Sequence, residues 1–282
     1  MASPPVSYQG IPGSFSYLAA KQCFPEAREM ISAKSFSELF RTVGNSTDGY
    51  GVVPIENSLA GSIHEVYDLL HSSDVTVCGE IYLRVAHCLL AIDNSAIEPE
   101  GRIGTLKKVY SHPKALEQCR RFFENNPGIE ACIYSDTAGA AKFVKDSSTS
   151  ELAAIAAEES AALYGLQILK KNLEDNPGNF TRFVIISKRP VNSDQADKGS
   201  LIFTLPHKPA SLFKALEVFA ERNLNVTKVE SRPIHGSPFE YNFYIDFEFP
   251  RGDIQAADEA VTELRNRTRT IRVLGFYKSE QR

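Results

Sequence analysis

The sequence predicts an α/β fold in two unequal parts, and three observations carry that reading. Short apolar, β-branched runs alternate with helix-period segments from Val6 to Ile186, the pattern of a largely parallel sheet flanked by helices. Lys188 to Gly199 then breaks the pattern with Pro190, Asn192, Ser193, Asp194 and Gly199, a linker composition. Beyond it the order becomes strand, helix, strand, strand, helix, strand, the ferredoxin-like split unit. A length of 282 residues suits two domains, placed at 1–190 and 200–282.

The elements follow in order. Val6 to Gln9 alternates as a strand, Gly10-Ile11-Pro12-Gly13-Ser14 turns, and Phe15 to Cys23 reads as a helix. Such a turn is either an oxyanion seat at a helix N-terminus or only a turn. Tyr50 to Ile55 is a buried-type strand ending in Glu56-Asn57-Ser58, short polar groups where a ligand can sit. On the other reading, Ser58 or Ser62 caps the helix through Val66, Leu69 and Leu70, and Asn57 closes the turn. Ile81 to Ile92 is one long extended run interrupted by Arg84 and His87. Lys107 to Tyr110 leads to Ser111-His112-Pro113 and a helix from Lys114 to Asn125. Ser111 suits its N-cap, and Gln118, two turns on, lies on the same side. Strands at Ile129–Tyr134, Ala153–Ala156 and Leu166–Leu169 alternate with helices at Thr137–Lys145, capped by Ser135 or Asp136, and Glu158–Tyr164, closed by Gly165.

Asn179-Phe180-Thr181-Arg182-Phe183 follows the turn Asn176-Pro177-Gly178 and enters the strand Phe183–Ile186. A hydroxyl and a guanidinium side by side at a strand start read either as a recognition pair for an oxyanion or as an ordinary surface arginine. In the second part, strands lie at Leu201–Leu205, Val226–Arg232, Tyr241–Phe249 and Ile271–Tyr277, with helices at Leu212–Arg222 and Ile254–Arg267.

Composition narrows the function. Hydrophobic content of 43% and charged content of 23% are ordinary for a soluble globular chain. A net charge of -4 argues against nucleic acid as the main partner. No apolar run is long enough to span a bilayer, and Ala2-Ser3-Pro4-Pro5 is not a signal peptide, so no membrane partner is expected. Cys23, Cys78, Cys88, Cys119 and Cys132 form no Cys-x-x-Cys pair, and the histidines lack metal-ligand spacing. Reduced thiols, a cytoplasmic location and no metal are expected.

Taken together, Val53-Pro54-Ile55-Glu56-Asn57-Ser58, Tyr110-Ser111-His112-Pro113, Gln118-Cys119, Asp136-Thr137-Ala138, Asn179-Phe180-Thr181-Arg182-Phe183 and Glu230-Ser231-Arg232-Pro233 resemble the prephenate dehydratase family with a C-terminal ACT domain. The resemblance covers nearly the whole chain. It implies a bilobed, periplasmic-binding-protein-like region, with one lobe at 6–81 plus 179–188 and the other at 82–178. It implies dehydration and decarboxylation of prephenate to phenylpyruvate in phenylalanine biosynthesis, without a cofactor. Arogenate dehydration and a non-catalytic amino-acid sensor are the alternatives. Thr181 is the implied donor to the leaving hydroxyl, Arg182 its electrostatic partner, either binding a carboxylate or holding the loop, and Asn57, Ser111 and Gln118 orient the substrate. Glu56 is the alternative acid, and Ser58, Thr137 and Phe183 are further substrate contacts. Phenylalanine is the implied effector, at Pro209, Ala210, Ser211, Leu212, Asn225, Glu230 and Ser231. The family usually has Gly-Ala-Leu where this chain has Ala210-Ser211-Leu212. A homodimer or homotetramer is implied by pairing of such domains.

Overall fold

The computed structural model describes residues 3–93, 99–191, 194–234 and 236–280. Ala2, Asn192 and Ser193 lie outside them. The first lobe holds β1 (Pro5–Gln9), α1 (Phe15–Cys23), β2 (Glu29–Ala33), α2 (Phe36–Asn45), β3 (Tyr50–Asn57), β4 (Gly61–Ser62), α3 (His64–Ser72) and β5 (Thr76–Arg84). The second holds β6 (Cys88–Ile92), α4 (Pro99–Ile103), β7 (Lys108–Ser111), α5 (Pro113–Glu117), α6 (Arg120–Glu124), β8 (Glu130–Ile133), α7 (Thr137–Ser147), β9 (Leu152–Ala156), α8 (Glu158–Tyr164) and β10 (Leu166–Lys170). Strand β11 (Phe180–Ser187) returns to the first sheet, whose order is β2-β1-β3-β11-β5. The second sheet runs β10-β6-β9-β7-β8.

The α/β class predicted from sequence holds, but the sheets are mixed rather than largely parallel. β1 pairs in parallel with β2 and β3, whereas β11 is antiparallel to both β3 and β5. The second sheet divides in the same way, with β6 antiparallel to β9 and β10. The reason is the chain's return: β11 comes back from the other lobe and enters the sheet from the cleft end. The run Ile81–Ile92 is two strands in different sheets, because Val85 to His87 is where the chain crosses between lobes. The expected helix Lys114–Asn125 is likewise two short helices, broken at Cys119, whose φ of -120° and ψ of 33° leave the helical range.

Sequence expectation passes over residues 24–49, where β2 and α2 lie. Ser35 caps α2 by accepting from the Glu38 amide, and Leu39, Phe40 and Val43 form its buried stripe.

After β11 the third unit comprises β12 (Lys198–Thr204), α9 (Ser211–Glu221), β13 (Asn225–Pro233), β14 (Tyr241–Glu248), α10 (Ile254–Arg265) and β15 (Thr270–Tyr277), in the sheet order β13-β14-β12-β15. This is the expected βαββαβ module. One face of its sheet carries Leu201, Phe203, Ile245 and Phe247, which pack with Val218 and Phe219 of α9 and Ala260 and Leu264 of α10. The opposite face carries Ile202, Tyr244 and Leu274, which join Val77, Val184, Ile186 and Leu70 of the first lobe in one core. The module is therefore docked, sheet against lobe. At Gly275 the approach is so close that a Cβ would lie 2.0 Å from the Val77 carbonyl oxygen. Nor is the expected linker a free tether at its far end: Ala196 is fully buried in the module core, and Lys198 begins β12 as a buried residue.

Candidate active site

The site is set by the register of two strands. On the antiparallel pair β3 and β11, Asn57 lies opposite Thr181 and Glu56 opposite Arg182. Successive strand residues point to opposite faces. Asn57 and Thr181 therefore share one face, and Glu56 and Arg182 share the other. The register slips just beyond, between Arg182 and Phe183, where Phe183 pairs with Pro54. Proline has no N–H to give a ladder, so a bulge there is the expected accommodation.

The Asn57 face meets the second lobe. Asn57 Oδ1 accepts the backbone N–H groups of Leu59 and Ala60, at 3.0 and 2.9 Å, closing the turn. This fixes the amide orientation, because Nδ2 must then face inward. Nδ2 donates to Thr181 Oγ1 at 3.0 Å, Asn179 Oδ1 at 2.8 Å and the Phe180 carbonyl at 3.1 Å. Asn179 is thereby oriented as well, and its Nδ2 donates to Gln118 Oε1 at 3.0 Å. His87 Nε2 lies 3.1 Å from the same oxygen, which can only accept, so Nε2 carries the proton. Burial lowers the His87 pKa against the opposing effects of Gln118 and Glu174 and keeps the ring neutral. A connected chain thus joins the crossover His87 to Thr181: His87 and Asn179 both donate to Gln118, and Asn57 donates to both Asn179 and Thr181. The Thr181 hydroxyl accepts within this chain, which leaves its own proton to be donated elsewhere.

Two cavities adjoin this chain. One, of about 510 Å³, is bounded by Asn57, Ser58, Tyr82 and Phe180, with Glu56 and Arg182 in its wall. The other, of about 310 Å³, is bounded by Gln118, Asn179 and Leu59, with Lys114 and Arg120 at its edge. Ser58 ties the turn to the loop before β11, donating to the Gly178 carbonyl at 2.9 Å and accepting from Phe180 N at 2.9 Å.

Several expected residues stand elsewhere. Arg182 does not pair with Thr181 toward a ligand. Its side chain is 3% exposed and donates to Glu80 at 2.8 Å, Asp246 at 2.5 Å, Glu56 at 3.3 Å and the Tyr277 hydroxyl at 3.2 Å. Adjacency in sequence put the two groups side by side, and the two-residue period of the strand separates them. Glu56 is not an available acid. Burial raises its pKa, but Lys228 and Arg182 together outweigh that and hold the carboxyl below its ordinary range, ionised. Phe183 is 1% exposed in a core with Val6, Tyr8 and Ile81, so it does not line the site. Ser111 is fully buried and donates to the Ile155 carbonyl at 2.6 Å, tying β7 to β9. The cap of α5 is instead His112, whose Nδ1 accepts from Lys114 N at 3.2 Å. Neither Ser58 nor Ser62 caps α3, which begins after Ile63 without a side-chain cap. Thr137 opens α7 beside its cap Asp136, in the second lobe. Asn179 and His87 were not singled out as site residues.

The Gly10–Ser14 turn meets the second lobe directly. Ser160 Oγ of α8 donates to the Gly13 carbonyl at 3.2 Å, and Tyr164 donates to the Pro12 carbonyl at 2.5 Å. Gly13 has φ +89°, and a Cβ there would lie 2.7 Å from Ser160 Oγ, so glycine suits both the turn and the approach.

In the C-terminal module, Pro209, Ser211 and Leu212 border a cavity of about 460 Å³ with His207, Phe239 and Tyr241. Ala210 caps α9 in the left-handed region, at φ 63°, the conformation glycine adopts most easily. Asn225 donates to Glu248 at 3.1 Å, and Ser231 is exposed on β13. Glu230 accepts from Ser62 of the first lobe at 2.5 Å. Within one chain these β13 residues do not border the cavity at Pro209–Leu212.

Among the described residues no helix is long and apolar enough to cross a membrane, and no cluster of His, Cys, Asp and Glu is arranged to hold a metal.

Comparison with known proteins matches the family described as prephenate dehydratase over residues 6–191. Arogenate dehydratase 2 of Petunia hybrida is 39% identical, with 98% of this chain and 72% of the relative aligned. The bifunctional chorismate mutase/prephenate dehydratase of Escherichia coli (strain K12) is 36% identical, over 98% and 71%. Among solved structures, GqqA, described as a quorum-quenching acylase, superposes with a TM-score of 0.86 at 31% identity, covering 98% of each chain. Prephenate dehydratase from Arthrobacter aurescens in complex with L-Phe superposes with a TM-score of 0.84 at 26% identity, covering 97% of this chain and 89% of that one. With a family match across both lobes and relatives aligned along nearly its whole length, the chain belongs to the prephenate dehydratase family.

Proposed function

We propose that the cleft dehydrates and decarboxylates prephenate to phenylpyruvate, with arogenate, giving phenylalanine, as the alternative substrate. The observation that carries this is the Thr181 hydroxyl, which accepts from Asn57 and so keeps its own proton to donate, within a hydrogen-bonded set whose Asn179 and Gln118 border a cavity. In the reaction the bond from ring carbon to carboxylate breaks, and its electron pair moves into the ring. The bond to the ring hydroxyl breaks in turn, and that oxygen leaves with its electron pair. One proton balances the change, so the products are carbon dioxide, water and an aromatic ring. Aromatisation drives the step. A donor aimed at the departing oxygen stabilises charge that develops only in the transition state, and such a donor contributes about 3 kcal/mol. Thr181 is that donor, Asn57 aims it, and Asn179 and Gln118 hold Asn57 and the ring. Lys114 and Arg120 suit the approach of an anionic substrate.

The C-terminal module is read as an ACT-type regulator that binds phenylalanine near Pro209–Leu212 and pairs chains into a homodimer or homotetramer. The L-Phe complex of the Arthrobacter relative supports the effector, and Phe213 and Phe239, 66% and 79% exposed, suit a pairing surface. Acyl hydrolysis, named for one neighbour, has less support here. Ser58 and Thr181 are partnered by backbone and amide groups rather than by a histidine base.

The test is turnover of prephenate and arogenate in parallel, with and without phenylalanine, on the wild type and on Thr181→Val. Wild-type turnover, lost in T181V, is expected. A T181V enzyme with full turnover removes Thr181 from the chemistry, and a wild type inactive on both substrates returns the cleft to a sensor role.

A further inference from the structure

The Arg182 face of β11 is occupied by charges from two parts of the chain. From the first lobe come Arg182, Glu80 and Glu56, and from the C-terminal module come Asp246, Lys198 and Lys228. Three of their ion pairs cross between the two units. Arg182 binds Asp246 at 2.5 Å, Glu80 binds Lys198 at 3.0 Å, and Glu56 binds Lys228 at 2.5 Å. The side chains of Arg182, Glu80 and Lys198 are 3%, 1% and 3% exposed, so solvent does not screen these pairs. The module side is braced in turn. Asp246 takes a hydrogen bond from Ser200 at 2.5 Å, and Ser200 lies 2.8 Å from the Tyr277 hydroxyl that meets Arg182.

The placement is unusual in one respect. Arg182 and Thr181 are joined by one peptide unit, and so are Glu56 and Asn57. The proposed donor and the residue that aims it therefore share their backbone with the two that grip the module. Any displacement of Asp246 or Lys228 pulls on the strands that carry Thr181 and Asn57. A shift of about 1 Å at a reacting group can cost about 100-fold in rate.

We propose that Arg182 is a positioning residue, and that the ion pairs it heads are the route by which the C-terminal module sets the geometry of Thr181. Signals from the module reach the cleft through the back of β11, independently of the chain segment 188–197. The kinetic part of this inference rests on the dehydratase reading given above.

The test compares Asp246→Asn with Asp68→Asn. Both weaken a cross-unit ion pair, since Asp68 of α3 binds Arg232 of the module at 2.7 Å, but only Asp246 touches Arg182. D246N is expected to lower kcat about 10-fold, within the range usual for coupling between sites, with little change in KM, whereas D68N keeps wild-type kcat. Amide hydrogen exchange, read without substrate, should rise at 56–60 and 180–183 in D246N and not in D68N. If phenylalanine inhibits the wild type, its effect should shrink in D246N. Should D246N fail to fold, Arg182→Lys decides, because it keeps the charge and loses the fork that reaches several partners at once. Unchanged kcat and unchanged exchange in D246N, or in R182K, overturn the proposal, and so does an equal loss in D68N, which would mean docking alone. An inactive wild type fails the dehydratase reading instead, and leaves the exchange result to judge the coupling.

Discussion

Replacing Asn57 by aspartate tests the donor role of Asn57 in the hydrogen-bond chain with a change of one group. The Oδ1 that accepts from Leu59 and Ala60 is kept, so the turn stays closed. The Nδ2 that donates to Thr181, Asn179 and Phe180 becomes an acceptor. The Thr181 hydroxyl must then turn and donate to the new oxygen, withdrawing its proton from the cleft. Loss of one such donor is worth about 100- to 1,000-fold in kcat, or about 3–4 kcal/mol. The Asn179 and Phe180 oxygens lose their donor at a cost of about 1–3 kcal/mol to the fold. That is below the roughly 5–15 kcal/mol that keeps a domain folded, so N57D remains native. Steady-state kinetics on prephenate, with a thermal melt of the same sample, checks both numbers. Asn57→Ala separates them: it loses the turn bonds but leaves Thr181 free, so it melts at least as early and keeps more kcat than N57D. A folded N57D with kcat within about threefold of wild type, less than 1 kcal/mol of barrier, refutes the assignment of Thr181 as a donor aimed by Asn57.

Three further outcomes are expected. Acid destabilises the junction between lobe and module: burial alone would raise the Glu56 and Asp246 carboxyls, but Lys228 and Arg182 for Glu56, and Arg182, Ser200 and Lys198 for Asp246, hold both below their ordinary values of 4.5 and 3.8. Their contribution is complete above those values and is lost as pH falls through the lowered ones, so a pH series of melts should fall below about pH 4.5, and more shallowly in Asp246→Asn. Gly275→Ala places a Cβ against the Val77 carbonyl, which cannot move aside as a side chain could; a loss of about 1–3 kcal/mol or more is expected, read as a lower melting temperature or as separate melting of the module. Ala210→Gly relieves a left-handed alanine, offset in part by the entropy of a new glycine, and should raise stability by up to about 1 kcal/mol, seen as a rise of about 2–4 °C in Tm.

What could be read from sequence was the identity of the motifs and the order of the elements. What could not was the direction in which each motif residue points. Asn57 and Thr181 could be put forward from sequence because polar groups at strand ends are where ligands sit. The partners of Arg182 and Glu56 were not legible, because nothing local says which face of β11 will be covered by a module whose first strand begins at Lys198. The strand period alone was enough to separate Thr181 from Arg182, and it was available in the sequence. Asn179 stood inside the quoted motif, and His87 interrupted an apolar run, but only the folding of Gln118 against them makes them one chain. Ser111 failed for a different reason: a serine before proline looks like a cap, and here the histidine between them takes that role. Residues 35–43 carried a readable signal, Ser35 followed three residues later by Glu38, ahead of the stripe Leu39, Phe40 and Val43.

The charges behind β11 are not all that holds the module in place. Ile202, Tyr244 and Leu274 already share a core with Val77, Val184 and Ile186, and burial of apolar side chains contributes roughly 1.5–3 kcal/mol each. Buried ion pairs, by contrast, recover their desolvation cost poorly and can often be replaced by apolar side chains without loss. A junction built for adhesion alone would do as well with more leucine at Arg182, Glu80, Lys198 and Asp246. What apolar packing does not supply is direction. Its energy varies little as one surface slides on another, whereas a guanidinium held by Glu80, Asp246 and the Tyr277 hydroxyl accepts few orientations. Such orientation is of use at the strand position next to Thr181, where a small tilt changes the aim of a hydroxyl.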